Sequence, residues 1–91
     1  MELIGTIVEI KDEQEISASF KKREFVIAVT EGTHTQEIIL ELHQDRVDII
    51  DPYGIGEEIK CAINIRGKRF VKAGQDDRFY NTIICWKIER V

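Results

Sequence analysis

Gln36-Glu-Ile-Ile-Leu-Glu-Leu-His-Gln-Asp-Arg-Val-Asp-Ile-Ile-Asp-Pro52 begins as a strand and changes into a single helical turn. In its first half the side chains alternate. Ile38, Leu40 and Leu42 point one way, and Glu37, Ile39 and Glu41 point the other. That period of two is the signature of a half-buried strand. In its second half, Val47 and Ile50 are three residues apart and can share one side of a turn. Pro52 closes this turn, because it disfavours the helical conformation of Asp51. The spacing predicts one short helix over Gln44–Ile50, in a chain whose other regular segments are all strand-like.

Outward from this point the same alternation recurs. Toward the N-terminus lie Leu3 to Ile10 and Phe20 to Thr30, both rich in β-branched and aromatic residues. Glu31-Gly32-Thr33 makes a tight hairpin into the 34–43 strand. Toward the C-terminus, Gly54-Ile55-Gly56 turns into Ile59-Lys-Cys-Ala-Ile-Asn-Ile-Arg66. There Ile59, Cys61, Ile63 and Ile65 are expected on one face. In Thr82-Ile-Ile-Cys-Trp-Lys-Ile88, Ile84, Trp86 and Ile88 are expected to align, with Trp86 in the core. Five strands follow, near 2–11, 19–30, 34–43, 58–66 and 79–89. Three strands, a short helix and two strands is the order of the oligonucleotide-binding (OB) fold, an all-β, five-stranded Greek-key barrel. An SH3-like barrel is the competing architecture, and the turn at Gln44–Ile50 favours the OB arrangement.

Ninety-one residues, 43% hydrophobic and 33% charged, suit one small globular domain spanning 1–91. No apolar run approaches the roughly 20 residues that a membrane helix needs. Met1-Glu-Leu-Ile-Gly5 lacks the cationic start of a signal peptide, so a cytoplasmic location is expected. Cys61 and Cys85 are too few for a disulfide framework and read as buried thiols.

The net charge is −4, but it is unevenly placed. Residues 31–58 carry eight acids and one cation, whereas residues 59–91 carry eight cations and three acids. Two basic islands stand out, Lys21-Lys22-Arg23 and Arg66-Gly-Lys-Arg-Phe-Val-Lys72. Such polarity suggests an anionic partner, although solvated loops are also often basic. In the OB arrangement the second island falls in the loop between the last two strands, 67–78, one of the two loops that contact ligands in that fold. The other ligand loop, 11–19, contains Asp12-Glu-Gln-Glu15 and is acidic.

Phe20-Lys-Lys-Arg-Glu-Phe-Val-Ile-Ala-Val29, Tyr53-Gly-Ile-Gly56, Asn64-Ile-Arg-Gly67, Phe79-Tyr-Asn81 and Cys85-Trp-Lys-Ile88 together resemble a short bacterial family known only as a domain of unknown function. The likeness runs over almost the whole chain. That family is common in Bacteroidetes-type bacteria and looks like a small OB group. It is more distantly similar to bacterial single-stranded DNA-binding and primosomal replication proteins. The resemblance implies nucleic-acid binding and a dimer or tetramer. Members often carry tryptophan where this chain has Phe70. Bacterial single-stranded DNA-binding proteins also have a long tail with an acidic tip that recruits partners. This chain shows none, so that role is not expected of it.

Single-stranded DNA (or RNA) with little sequence preference is thus the expected ligand. Lys21, Lys22 and Arg23 are expected on phosphates, with Arg66, Lys68, Arg69 and Lys72. Phe70, Phe79 and Tyr80 are the expected stacking residues, with Phe70 free in a loop and only one of Phe79 and Tyr80 exposed. Of Phe20 and Phe25, which have opposite parity, one belongs to the core. No catalytic motif is present: there is no phosphate-binding Gly loop and no nucleophile elbow. His34 and His43 do not have a metal-ligand spacing, and Asp76-Asp77 reads as solvated. No cofactor or metal is implied and no enzyme is expected. The alternative is a protein-interaction or homo-oligomerisation module that binds no nucleic acid. In that case the acidic stretch 31–58 meets the basic loop of a neighbour.

Overall fold

A computed structural model describes residues 1–91. Six strands form in the order β1 (Glu2–Ile10), β2 (Gln14–Ser17), β3 (Phe20–Glu31), β4 (His34–His43), β5 (Glu58–Phe70) and β6 (Arg78–Arg90). A 3-10 turn at Gln44–Arg46 follows β4 and continues as hydrogen-bonded turns, with Asp51 N–H on the Asp48 carbonyl at 3.0 Å. The helix expected over Gln44–Ile50 is therefore a tighter, shorter element, but Val47 and Ile50 are buried as their spacing requires.

The sheet runs β1-β5-β6-β4-β3 and closes because β1 pairs with both β5 and β3. Its first half, Glu2–Thr6, faces β5, and its second half, Thr6–Ile10, faces β3. Gly5 sits at this crossing. A Cβ there would lie 2.6 Å from the Ala28 carbonyl oxygen, so only glycine lets the two backbones approach. The one parallel contact, Glu41 opposite Ile84, brings β4 beside β6 and completes the five-stranded barrel. β2 is an added edge strand inside the expected 11–19 loop, held on β3 by Gln14–Lys22 and Glu15–Lys21 pairing.

The core is the inward phase of each strand: Ile7, Phe25, Ile27, Leu40, Leu42, Ile59, Cys61, Ile63 and Cys85, capped by Val47 and Ile50. Cys61 and Cys85 are both buried and reduced. Their mutual contact, with burial, pushes the Cys61 thiol above the ordinary thiol range, so it stays protonated.

Two expectations fail here, each for its own reason. Ala62 pairs with Lys87 but Ile63 pairs with Cys85, which leaves Trp86 as an extra residue in β6. This β-bulge resets the inside–outside phase, so Cys85 and Ile84 are buried and Trp86 is 40% exposed. Trp86 is therefore not a core residue. Ile65, in phase with Cys61 and Ile63, is 56% exposed, because β5 has left the barrel by that point.

β5 and β6 continue as a two-stranded arm, paired from Gly67–Asn81 to Phe70–Arg78. With both faces exposed, the arm makes the molecule larger than a sphere of its length. The radius of gyration is 14.7 Å, against the roughly 12 Å expected of a compact chain this size. Phe70 accordingly lies on a strand and not in a loop, and the true loop is residues 71–77.

Candidate nucleic-acid interface

Directly opposed residues of an antiparallel pair share a face. The pairs Arg66–Thr82, Lys68–Tyr80 and Phe70–Arg78 therefore stand on one face of the arm. Arg69–Phe79 stands on the other. The first face continues down into a groove of about 450 Å³, whose floor is built by Phe20, Glu41, His43 and Ile84. Toward its tip the same face opens on a hollow lined by Phe70, Lys72, Gln75, Asp76, Arg78 and Tyr80.

Two aromatic pairs mark this surface. Phe70 and Tyr80 meet edge to face with centroids 5.1 Å apart, and Phe20 and His43 do so at 5.0 Å. Phe70 is 48% and Tyr80 49% exposed, so each ring keeps a face free. Lys68 Nζ lies 4.8 Å from the centre of the Phe70 ring. On the reverse face Arg69 lies over Phe79 at the same distance, and Phe79 is 66% exposed. Phe79 and Tyr80 are thus both exposed, contrary to expectation, because an arm clear of the barrel has no buried side.

The two basic islands differ in their charge state as a surface. Lys21 reaches Glu13 at 4.0 Å, and Lys22 lies between Glu24 and Glu41 at 3.9 Å from each. Arg23 binds Asp51 at 2.7 Å and donates to the carbonyls of Lys11 (2.8 Å) and Val47 (3.2 Å). It ties β3 to the turn after β4, away from the groove. On the arm, by contrast, Arg69 meets Asp77 at 3.8 Å, while Arg66, Lys68, Lys72 and Arg78 have no carboxylate within salt-bridge distance. Of the expected site residues, the structure gathers Arg66, Lys68, Phe70, Lys72 and Tyr80 on one surface. Arg69 and Phe79 lie on its back, and Lys21, Lys22 and Arg23 lie among acids.

Three residues of this surface escape sequence reasoning. Arg78 joins it through its pairing with Phe70. His43 joins it by facing Phe20, which the odd spacing of Phe20 and Phe25 allows but does not select. Trp86 is exposed only because of the bulge. It lines a hollow that adjoins the groove, with Arg46, Asn64 and Arg66. On its far side the hollow around Met1, Glu2 and Ala62 is electrostatically self-satisfied. There Lys87 lies 2.8 Å from Glu89, and Lys60 3.5 Å from Glu89 and 3.9 Å from Glu2. Hydrogen bonding to Lys87 lowers the Glu89 carboxyl below its ordinary range, and Lys87 is raised in turn.

No group of three or more His, Cys, Asp or Glu side chains is placed to hold a metal. No helix is long and apolar enough to cross a membrane.

This architecture is that of the OB-fold proteins. Solved structures that share it include the mitochondrial single-stranded DNA-binding protein Rim1 of S. cerevisiae, at a TM-score of 0.77 and 14% identity, and a small single-stranded DNA-binding protein of Streptomyces coelicolor, at 0.61 and 12%. Each likeness covers 100% of this chain and 92% of the other, and at these identities it is a likeness of fold. No curated protein sequence matches significantly. Residues 2–89 match the model of the family described as a domain of unknown function (DUF3127), and the chain belongs to that family.

Proposed function

We propose that this protein binds single-stranded nucleic acid, DNA in the first instance, and performs no catalysis. The observation that carries the reading is the continuous surface from Phe20 and His43 to Phe70 and Tyr80. It sets two aromatic pairs among four cations that have no acidic partner. Cations attract the phosphate backbone, and aromatic rings stack on unpaired bases whatever their identity. A duplex keeps its bases stacked on each other and offers them to neither pair. Binding through backbone charge and stacking is therefore largely sequence-tolerant and selective for single strands. Phosphates follow Arg66, Lys68, Lys72 and Arg78, while Phe70, Tyr80 and Phe20 take bases. Lys21, Lys22 and Arg69 contribute from the margins, Phe79 offers a further ring from the reverse face, and Arg23 serves the barrel. We place the protein in the cytoplasm, as a dimer or tetramer.

The single tryptophan supplies the test. Trp86 is part-exposed beside Arg66, at the inner end of the groove. Titration with an unlabelled single-stranded oligonucleotide is expected to quench its fluorescence saturably, and the same amount of duplex is expected to leave it unchanged. Equal quenching by duplex, or none by either, rejects the assignment.

A second reading rests on the back of the arm. Ile65 and Phe79 are 56% and 66% exposed there, with the Gly67–Asn81 pair between them and Arg69 over the Phe79 ring. This favours self-association through the arm, without nucleic acid. An assembly that persists at high salt and is lost in Phe79→Ser, in a protein that binds no oligonucleotide, is the result that supports it.

A further inference from the structure

One residue in the groove has the wrong charge for a phosphate site. Glu41 stands on its floor, opposite Glu24 on β3 and beside Ile84 on β6. Its Oε1 accepts a hydrogen bond from His43 Nε2 at 2.8 Å, and its Oε2 lies 3.9 Å from Lys22 Nζ. His43 is in turn fixed by the Phe20 ring. The carboxylate is thus oriented by two partners and retains lone pairs toward the groove, since each oxygen can accept more than one bond. Lys22 is shared with Glu24, which Lys11 also reaches at 4.0 Å, so no cation approaches Glu41 closer than 3.9 Å.

We propose that Glu41 reads the base that enters the groove, favouring bases with an exocyclic amino group over thymine or uracil. This rests on the single-stranded nucleic-acid reading above and sharpens it at one position. A phosphate is repelled from this floor, so the ligand's backbone stays on the arm with Arg66 and Lys68, and a base edge faces Glu41. Cytosine, adenine and guanine present amino donors there, and a carboxylate accepts from them. Thymine presents one N3–H between two carbonyl oxygens, and both oxygens repel the carboxylate. The Phe20–His43 pair and Ile84 supply the apolar surroundings in which such a charged hydrogen bond is strong.

The test crosses two proteins, wild type and Glu41→Gln, with two ligands, oligodeoxycytidine and oligodeoxythymidine of equal length. Titrations are made at low salt and mildly alkaline pH, which keeps oligodeoxycytidine unstructured. Wild type is expected to bind the cytidine oligomer about tenfold more tightly. In Glu41→Gln the ratio is expected to fall close to one, because an amide both donates and accepts. The ratio is insensitive to partial unfolding of the variant, which weakens both ligands alike. Parity or a thymidine preference in wild type overturns the inference and leaves single-strand binding standing. A preference that survives in Glu41→Gln removes it from Glu41. Failure of wild type to bind either oligomer overturns the nucleic-acid reading itself.

Discussion

Replacing Phe70 and Tyr80 together with alanine is expected to weaken binding of single-stranded DNA at least about thirtyfold, from two base stacks worth about 1–3 kcal/mol each. The melting temperature is expected to fall by no more than about 12 °C, because the ring–ring contact is worth about 0.5–1.5 kcal/mol and half-exposed rings bury little else. The separation of the two effects follows from geometry. Both rings stand on the arm, half-exposed, with their edge-to-face contact at 5.1 Å. Their removal opens no cavity in the barrel. Anisotropy titration and a thermal melt by circular dichroism measure the two quantities on the same sample. Unchanged affinity excludes these rings as base contacts, whereas collapse of the fold shows the arm to be structurally coupled to the barrel.

The second large effect is one of stability. Phe25→Ala is expected to cost about 3–5 kcal/mol. A domain of this size has a total stability of about 5–14 kcal/mol, so the loss takes much of it. The melting temperature is expected to drop by roughly 15 °C or more. Phe25 is fully buried, opposite Ile10 on β1 and Leu40 on β4, so it packs where three strands meet. Phe20→Ala is the matched control. Phe20 is half-buried at the start of β3 against His43, and its loss is expected to cost binding more than stability. Similar melting temperatures for the two variants contradict this division of roles.

Phe20 and Phe25 also show how far the sequence can be read. Their odd spacing states that one points inward, and only the pairing partners of β3 say which. Strand order, the turn after β4 and the inward phase of Ile38, Leu40 and Leu42 are local patterns, and all three appear in the structure. What stays hidden depends on register. The bulge at Trp86 exists only relative to β5, so alternation read along β6 alone sends Trp86 inward. The arm has the opposite difficulty. Arg66-Gly-Lys-Arg-Phe-Val-Lys72 has no alternation of buried and exposed residues, because neither face is buried, and it reads as a loop. Ionic partners are similarly invisible: Lys21-Lys22-Arg23 is as basic in sequence as the arm, yet folding sets Glu13, Glu24, Glu41 and Asp51 against it.

The central claim is that the cations of the arm and the aromatic groove act as one single-strand site. Its most direct test is anisotropy of a labelled mixed-sequence single strand, titrated with protein across a range of salt, with the matching duplex as control. Four unpaired cations at about 0.7 released counterions each predict a slope of about −3 in log affinity against log salt. Binding is expected to the single strand and not to the duplex. No binding at the lowest salt, or equal affinity for both forms, contradicts the account.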